Sequence, residues 1–292
     1  MNILLTGASS GFGRMTTHAL LDKGHKVAAT MRDPGGRNAA VADELRTAGA
    51  FVTEIDVTST ESVDTGVAAS IEALGSIDAV INNAGVGVHG LQESFTPEDF
   101  QRLFDINVFG VQRMNRAVLP HMRQRGSGLL MHISSLLGRF TLPFYGPYNA
   151  SKHALEGLAE NYRSELSGFG IETVLIEPGG FPTEFGANLM HPSDDAAEMG
   201  YGPMAQAPQQ AAEGFMEFLA ANPQQDPKLV IEAIVRVIET PHGQRPFRTP
   251  VDELGWRPLF EAYNAEADKL TQAIYGGMGM DGMLAVKVSE DA

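Results

Sequence analysis

The 292-residue sequence has no cysteine, so a disulfide framework, a zinc–thiolate centre and a thiol nucleophile are all excluded. Long apolar runs are missing too: none approaches the ~18–20 residues needed to cross a bilayer. The opening residues lack a basic stretch followed by a signal-type apolar segment, because Ile3-Leu4-Leu5 leads straight into a glycine loop. The expectation is a cytoplasmic chain that keeps off the membrane. Positive charge is scarce: 21 Lys and Arg stand against 36 Asp and Glu, a net charge of −15. That balance disfavours wrapping nucleic acid or lying on an anionic membrane surface. The eight histidines are scattered without HxxxH or HExxH spacing, so no metal site is expected. His132 lies inside an aliphatic run and reads as a satisfied core residue.

What is present is globular, with 43% hydrophobic and 20% charged residues. Short β-branched or aliphatic runs at Asn2–Thr6, 26–30, 51–55, Ala79–Asn82, 129–134 and 172–177 alternate with longer stretches of helical period. In 153–167, for example, Leu155, Leu158, Ala159, Tyr162 and Leu166 share one face. This alternation predicts right-handed βαβ crossovers and an α/β fold, a doubly wound parallel sheet with helices on both faces. A seventh strand near 246–251 has a weaker pattern. There is no internal repeat.

Two regions stand apart. Between Ser164 and Pro227 there is no Lys or Arg, and the second half of this stretch is acidic and rich in Met, Pro and Gly. It reads either as a solvated acidic loop or as a mobile insertion carrying a helix or two over a substrate site. After Leu254, residues 256–274 have an amphipathic helical pattern, and the glycine-rich 276–282 is expected to fray. The predicted layout is one domain over 1–254, with a lid insertion at about 183–227, and a C-terminal extension over 255–292.

Thr6-Gly7-Ala8-Ser9-Ser10-Gly11-Phe12-Gly13 follows the first strand and opens a helix. Glycines there let backbone N–H groups approach a pyrophosphate, and the helix end adds partial positive charge. Gly7-Ala8-Ser9-Ser10-Gly11 also fits the GxSxG nucleophile elbow of hydrolases. That reading fails on position, because the elbow needs earlier strands and an upstream oxyanion loop, and Ser9 has only eight residues before it.

The loop does not stand alone. Asp56-Val57 follows the third run and Asn82-Asn83-Ala84-Gly85 the fourth, and Asn107 falls within a helix. Ser135 ends the fifth run, Tyr148-x-x-x-Lys152 follows it, and Pro178-Gly179-x-x-x-Thr183 ends the sixth. In this order and spacing the motifs resemble the single-domain branch of the short-chain dehydrogenase/reductase family, closely up to about Thr183 and loosely beyond. The resemblance implies a Rossmann fold of about seven strands and a nicotinamide dinucleotide.

Tyr148 and Lys152 are four apart and share a helix face. A phenol with a pKa of about 10 exchanges protons poorly near neutrality. A neighbouring ammonium and an oxidised nicotinamide ring are expected to lower it, making Tyr148 a general acid or base. By the resemblance, Ser135 holds the substrate oxygen and Asn107 supports a water chain to Lys152. Asp56 and Val57 take the adenine, through side chain and backbone respectively. Gly7, Ser9, Ser10, Gly11, Phe12 and Gly13 cradle the pyrophosphate, and Asn83, Ala84 and Gly85 line the path to the nicotinamide. Pro178, Gly179 and Thr183 hold the nicotinamide end, and Tyr148 and Lys152 also touch the cofactor. Met31 stands where the family's NAD-type aspartate is expected, and Arg32 follows, a guanidinium suited to a ribose 2′-phosphate. Asp33 is close by, but the balance favours NADP over NAD.

The expected activity is interconversion of a ketone or aldehyde and an alcohol. The alternatives are reduction of a carrier-bound 3-oxoacyl chain, docked on Arg123 and Arg125, or a non-catalytic NADP-binding regulator. Against the regulator, Ser135, Tyr148 and Lys152 are all present. The expected pocket lining is apolar, including Val86, Val88, Leu137, Phe144, Tyr145, Phe185 and Met190. Arg139 is the one cation expected near it. A neutral, largely apolar small molecule is the expected partner. Two helical stretches, 100–116 and 148–167, resemble those through which family members pair, implying a homodimer or homotetramer.

Overall fold

The first strand, β1 (Asn2–Thr6), sends Ile3 and Leu5 into one hydrophobic cluster and Leu4 into another, all fully buried. A strand apolar on both faces needs cover on both, which parallel sheets obtain from crossover helices. The computed structural model describes residues 1–288 and has this architecture. The chain continues through α1 (Gly11–Asp22), β2 (Lys26–Met31), α2 (Ala39–Thr47), β3 (Phe51–Glu54), α3 (Thr60–Leu74) and β4 (Ala79–Asn82). Next come α4 (Pro97–Phe104), α5 (Gly110–Arg125), β5 (Gly128–Ile133), α6 (Gly146–Leu166) and β6 (Ile171–Pro178). The last part holds α7 (Asp195–Gly200), α8 (Ala207–Ala221), α9 (Lys228–Glu239), β7 (Arg248–Val251) and α10 (Arg257–Gly277).

The seven strands form one parallel sheet in the order β3-β2-β1-β4-β5-β6-β7. Leu20, Leu45, Val230 and Ile234 cover one face; Val63, Val67, Met114 and Val118 cover the other. Because β1 lies between β2 and β4, the loops leaving β1 and β4 diverge and open a crevice at the strands' carboxyl ends.

The weak seventh strand is present, paired to β6. The single helix expected over 100–116 is instead broken. A capping box of Thr96 and Asp99 starts α4, and a π turn over Asp105–Phe109 separates it from α5. The insertion carries α7 and α8. Where the tail is expected to fray, α10 ends at Gly277 and a 3-10 turn, Asp281–Leu284, precedes a segment in which Lys287 N donates to the Ser167 carbonyl at 2.9 Å. Among the described residues no helix is long and apolar enough to cross a membrane.

Candidate active site

Tyr148 sits in the first turn of α6 and Lys152 one turn further on, beside the end of β5 where Ser135 follows the strand. All three side chains are more than nine-tenths buried. Ser135 Oγ accepts from Leu137 N at 3.1 Å and donates to the Pro178 carbonyl at 3.4 Å. Lys152 Nζ donates to the Ile133 carbonyl at 2.8 Å and stands 5.5 Å from the centre of the Tyr148 ring. Burial pulls the lysine down to about 8, against the opposite pull of Glu156 one turn along. Burial also pushes the Tyr148 phenol above its ordinary value, and the opposite pull of the nearby Ser135 hydroxyl only partly offsets this. The chain's own residues thus shift the phenol in the opposite direction to the sequence expectation, because desolvation of a buried phenolate outweighs its neighbours.

The π turn aims Asn107 inward. Its amide donates to the Val86 carbonyl at 2.9 Å and to Ser151 Oγ at 3.1 Å, and its oxygen accepts from Val86 N at 2.9 Å. It fastens the loop after β4 to α6. Gly85 keeps the space between them clear, since a Cβ there would stand 3.3 Å from Asn107 Oδ1 and 4.0 Å from Lys152 Nζ.

The glycine loop packs too tightly for a side chain at Gly7 or Gly13. Gly7 has φ +72°, and a Cβ on it would come within 2.9 Å of Ala84 Cα; one on Gly13 would run into the Gly7 carbonyl. Asn83 ties the two loops, donating from Nδ2 to the Thr6 carbonyl at 2.9 Å and the Gly7 carbonyl at 3.2 Å; Ala84 N donates to Thr6 Oγ1 at 3.0 Å. Ser9 and Ser10 lie in the loop, and the Phe12 ring meets Phe181 edge-on at 5.9 Å. Gly11 N donates to Glu184 Oε2 at 3.1 Å. This bare backbone cradle at a helix N-terminus fits a dinucleotide pyrophosphate.

Asp56 Oδ1 accepts from Thr58 N at 3.0 Å and Thr58 Oγ1 at 2.8 Å. Burial pushes its carboxyl up, but the Thr58 bonds and the charges of Arg32 and Arg37 outweigh this and hold it below the usual carboxylate range. The Val57 carbonyl accepts from Arg113 at 3.0 Å. At the end of β2, Asp33 adopts φ +49° and folds its carboxylate back on its own loop, where Oδ2 accepts from Arg37 N at 2.9 Å. Gly36 permits this, since a Cβ there would meet the Asp33 carboxylate oxygens at 2.5 and 2.6 Å. Arg32 and Arg37 are exposed, and among the described residues neither enters an ion pair. Sequence reasoning missed Arg37 and the role of Gly36. Gly179 N donates to the Val251 carbonyl at 2.9 Å, and Thr183 Oγ1 accepts from Phe185 N at 3.4 Å.

Behind the site lies a buried ion network that the sequence reading also missed. Arg248 contacts Glu156 at 3.0 Å, Glu177 at 3.4 Å, and Glu160. Arg139, expected beside the substrate or on the surface, joins this network instead: its Nε donates to Asn264 Oδ1 at 3.0 Å, and Asn264 donates to Glu177 Oε2 at 2.6 Å. Burial and the neighbouring Glu156 push Glu177 up to about 8. Two other expectations change. His132 is fully buried with Nδ1 3.2 Å from Asn82 Nδ2, but its Nε2 has no partner, and burial pulls it down to about 3. Arg125 is engaged by the Ile77 carbonyl and Asp78, both at 2.8 Å. Among the described residues no cluster of His, Asp and Glu could hold a metal ion.

The short chain dehydrogenase family model matches residues 1–194. The chain belongs to the short-chain dehydrogenase/reductase family, oxidoreductases acting on CH–OH and C=O groups. It is 40% identical over 186 residues to 3-ketodihydrosphingosine reductase of Bacteroides thetaiotaomicron, covering 64% of this chain and 66% of that protein. It is 35% identical over 251 residues to human retinol dehydrogenase 8, covering 82% and 78%. A crystal structure of a short-chain dehydrogenase from Streptomyces avermitilis superposes with a TM-score of 0.72 at 29% identity, covering 95% of this chain and 97% of that one.

Proposed function

We propose that the chain is an NADP-dependent oxidoreductase that interconverts a ketone or aldehyde and an alcohol on a largely apolar small molecule, with Tyr148 as general acid and base. The observation that carries this reading is the grouping of buried Tyr148, Ser135 and Lys152 beneath an apolar cluster. Val88, Phe95 and Leu103 pack with Tyr148, and Val86, Leu137, Tyr145 and Met190 lie against them. The nicotinamide, when bound, supplies or accepts the hydride. In the reducing direction Ser135 holds the carbonyl oxygen and Tyr148 protonates it. Burial favours keeping that proton, so Lys152's positive charge is what helps the phenol give it up.

For the cofactor, the folded-back Asp33 leaves Arg32, with Arg37 near it, as the cations at the end of β2, where Glu54 Oε1 also accepts from Asp33 N at 3.1 Å. A 2′-phosphate fits that arrangement better than a 2′-hydroxyl does. For the substrate, the apolar cluster and the insertion without Lys or Arg favour a neutral molecule, and Arg139 is held in the buried network away from it. Two relatives are named for ketodihydrosphingosine and retinol, molecules dominated by hydrocarbon. Engagement of Arg125 by Asp78 weakens the carrier-docking alternative.

Two copies of the chain pair, in this reading, through the outer faces of α5 and α6. Phe109 at the end of the π turn and Arg116 and Pro120 on α5 are exposed, as are Ala150, His153 and Gly157 on α6. The activity is tested with a matched pair of ketones differing by one carboxylate, with NADPH and NADH compared. Higher kcat/KM for the neutral ketone with NADPH is expected, the gap between the ketones narrowing as salt is added. Preference for the carboxylate or for NADH contradicts the proposal.

A further inference from the structure

Helix α1 begins without a cap of its own. Its N-cap residue, Ser10, makes no side-chain cap bond, and its first turn holds no acidic residue. The free N–H groups and partial positive charge at that end are therefore open to an anion. The anion that meets them comes from 173 residues along the chain, where Glu184 Oε2 accepts from Gly11 N at 3.1 Å. Glu184 directly follows Thr183 and begins a strap, 184–190, that crosses the rest of the cleft. The Phe185 ring stands 5.8 Å from that of Tyr148. Phe185 and Leu189 press on Gly87, where a Cβ would come within 2.7 Å of each. Met190 forms a parallel bridge with Val88, and its N donates to the Gly87 carbonyl at 2.9 Å. The strap thus touches the phosphate cradle through Glu184 and the tyrosine through the next residue, Phe185.

We propose that Glu184 is an internal stand-in for the dinucleotide's pyrophosphate, so that the cofactor binds by displacing this carboxylate and thereby frees the strap from Tyr148. The proposal rests on reading the glycine loop as the pyrophosphate cradle. A carboxylate and a diphosphate compete for the same N–H groups, and their like charges repel at that distance. The nearest cation cannot neutralise both, because Arg14 is engaged by Glu44 through Nε at 3.0 Å and again through Nη2. Displacement also releases Thr183, whose hydroxyl caps the turn that Glu184 opens. Phe185 covers Tyr148 while the strap is down, so the dinucleotide binds before the carbonyl substrate. Glu184 therefore sets cofactor affinity without helping to hold the cofactor.

The experiment measures NADPH and NADH dissociation constants by calorimetry, and hydrogen exchange of 184–190 in the free protein, for wild type, Glu184→Ala and Glu184→Asp. The aspartate keeps the charge but is one methylene too short to reach Gly11. Both variants are expected to bind the dinucleotide roughly three- to tenfold tighter and to exchange faster over 184–190. Unchanged affinity in both variants overturns the proposal. Tightening in Glu184→Ala alone also overturns it, since that is plain charge repulsion without a latch. A wild-type protein that binds neither dinucleotide overturns the underlying reading of the glycine loop instead.

Discussion

Tyr148 lies where burial opposes its ionisation, and in the proposed function Ser135 and Lys152 divide the task of moving its proton. In that reading Ser135 holds the substrate oxygen, and Lys152, whose ammonium burial pulls down to about 8, supplies the positive charge. These three were legible in the sequence because their spacing is set by one helix and one strand end. The orientation of Asp33 was not legible. It depends on a positive φ and on the missing Cβ of Gly36, neither of which a pattern of residue types reveals. That orientation makes the cofactor preference testable. Arg32→Asp should weaken NADPH binding by about 1.5–3 kcal/mol, the loss of one charged hydrogen bond, and leave NADH nearly unchanged. Equal losses for both dinucleotides, measured by titration, would contradict the role given to Arg32.

The strands and most helices were legible because apolar runs buried on both faces leave little freedom of assignment. The break in the helix at 105–109 was not. It is fixed by Asn107 bonding to the backbone of Val86, a tertiary contact across the β4 loop. The docking of α10 was equally hidden. Its anchor is Asn264, a polar residue on a helix whose sequence shows only an amphipathic period, set between Arg139 and Glu177. Here the pH dependence has a definite sign. Glu177 keeps its proton in the folded protein up to about 8, whereas an unfolded glutamate loses it near 4.3. Between those values the native state binds more protons, so this contribution to stability is complete at low pH and is lost as pH rises through about 8. Glu177→Gln should remove that slope. The variant's melting temperature, relative to wild type, is expected to rise from pH 5 to pH 8; a pH-independent difference would mean that Glu177 is already ionised in the folded chain.

As a whole, the molecule is a seven-stranded parallel sheet whose crevice lies under a strap and whose outer helices leave one face open. The open face of α5 and α6 predicts a dimer, so light scattering at low micromolar concentration should give about twice 31.3 kDa. A mass of one chain would refute the pairing. The proposed function rests on a single chemical assignment, proton transfer by Tyr148 alongside hydride transfer. The most direct test is Tyr148→Phe, with kcat for a neutral ketone and the NADPH dissociation constant measured on the same preparation. The variant should lose roughly 10²–10⁴-fold in kcat while binding NADPH as wild type does. Near-normal kcat in a correctly folded, NADPH-binding Tyr148→Phe protein would contradict the assignment.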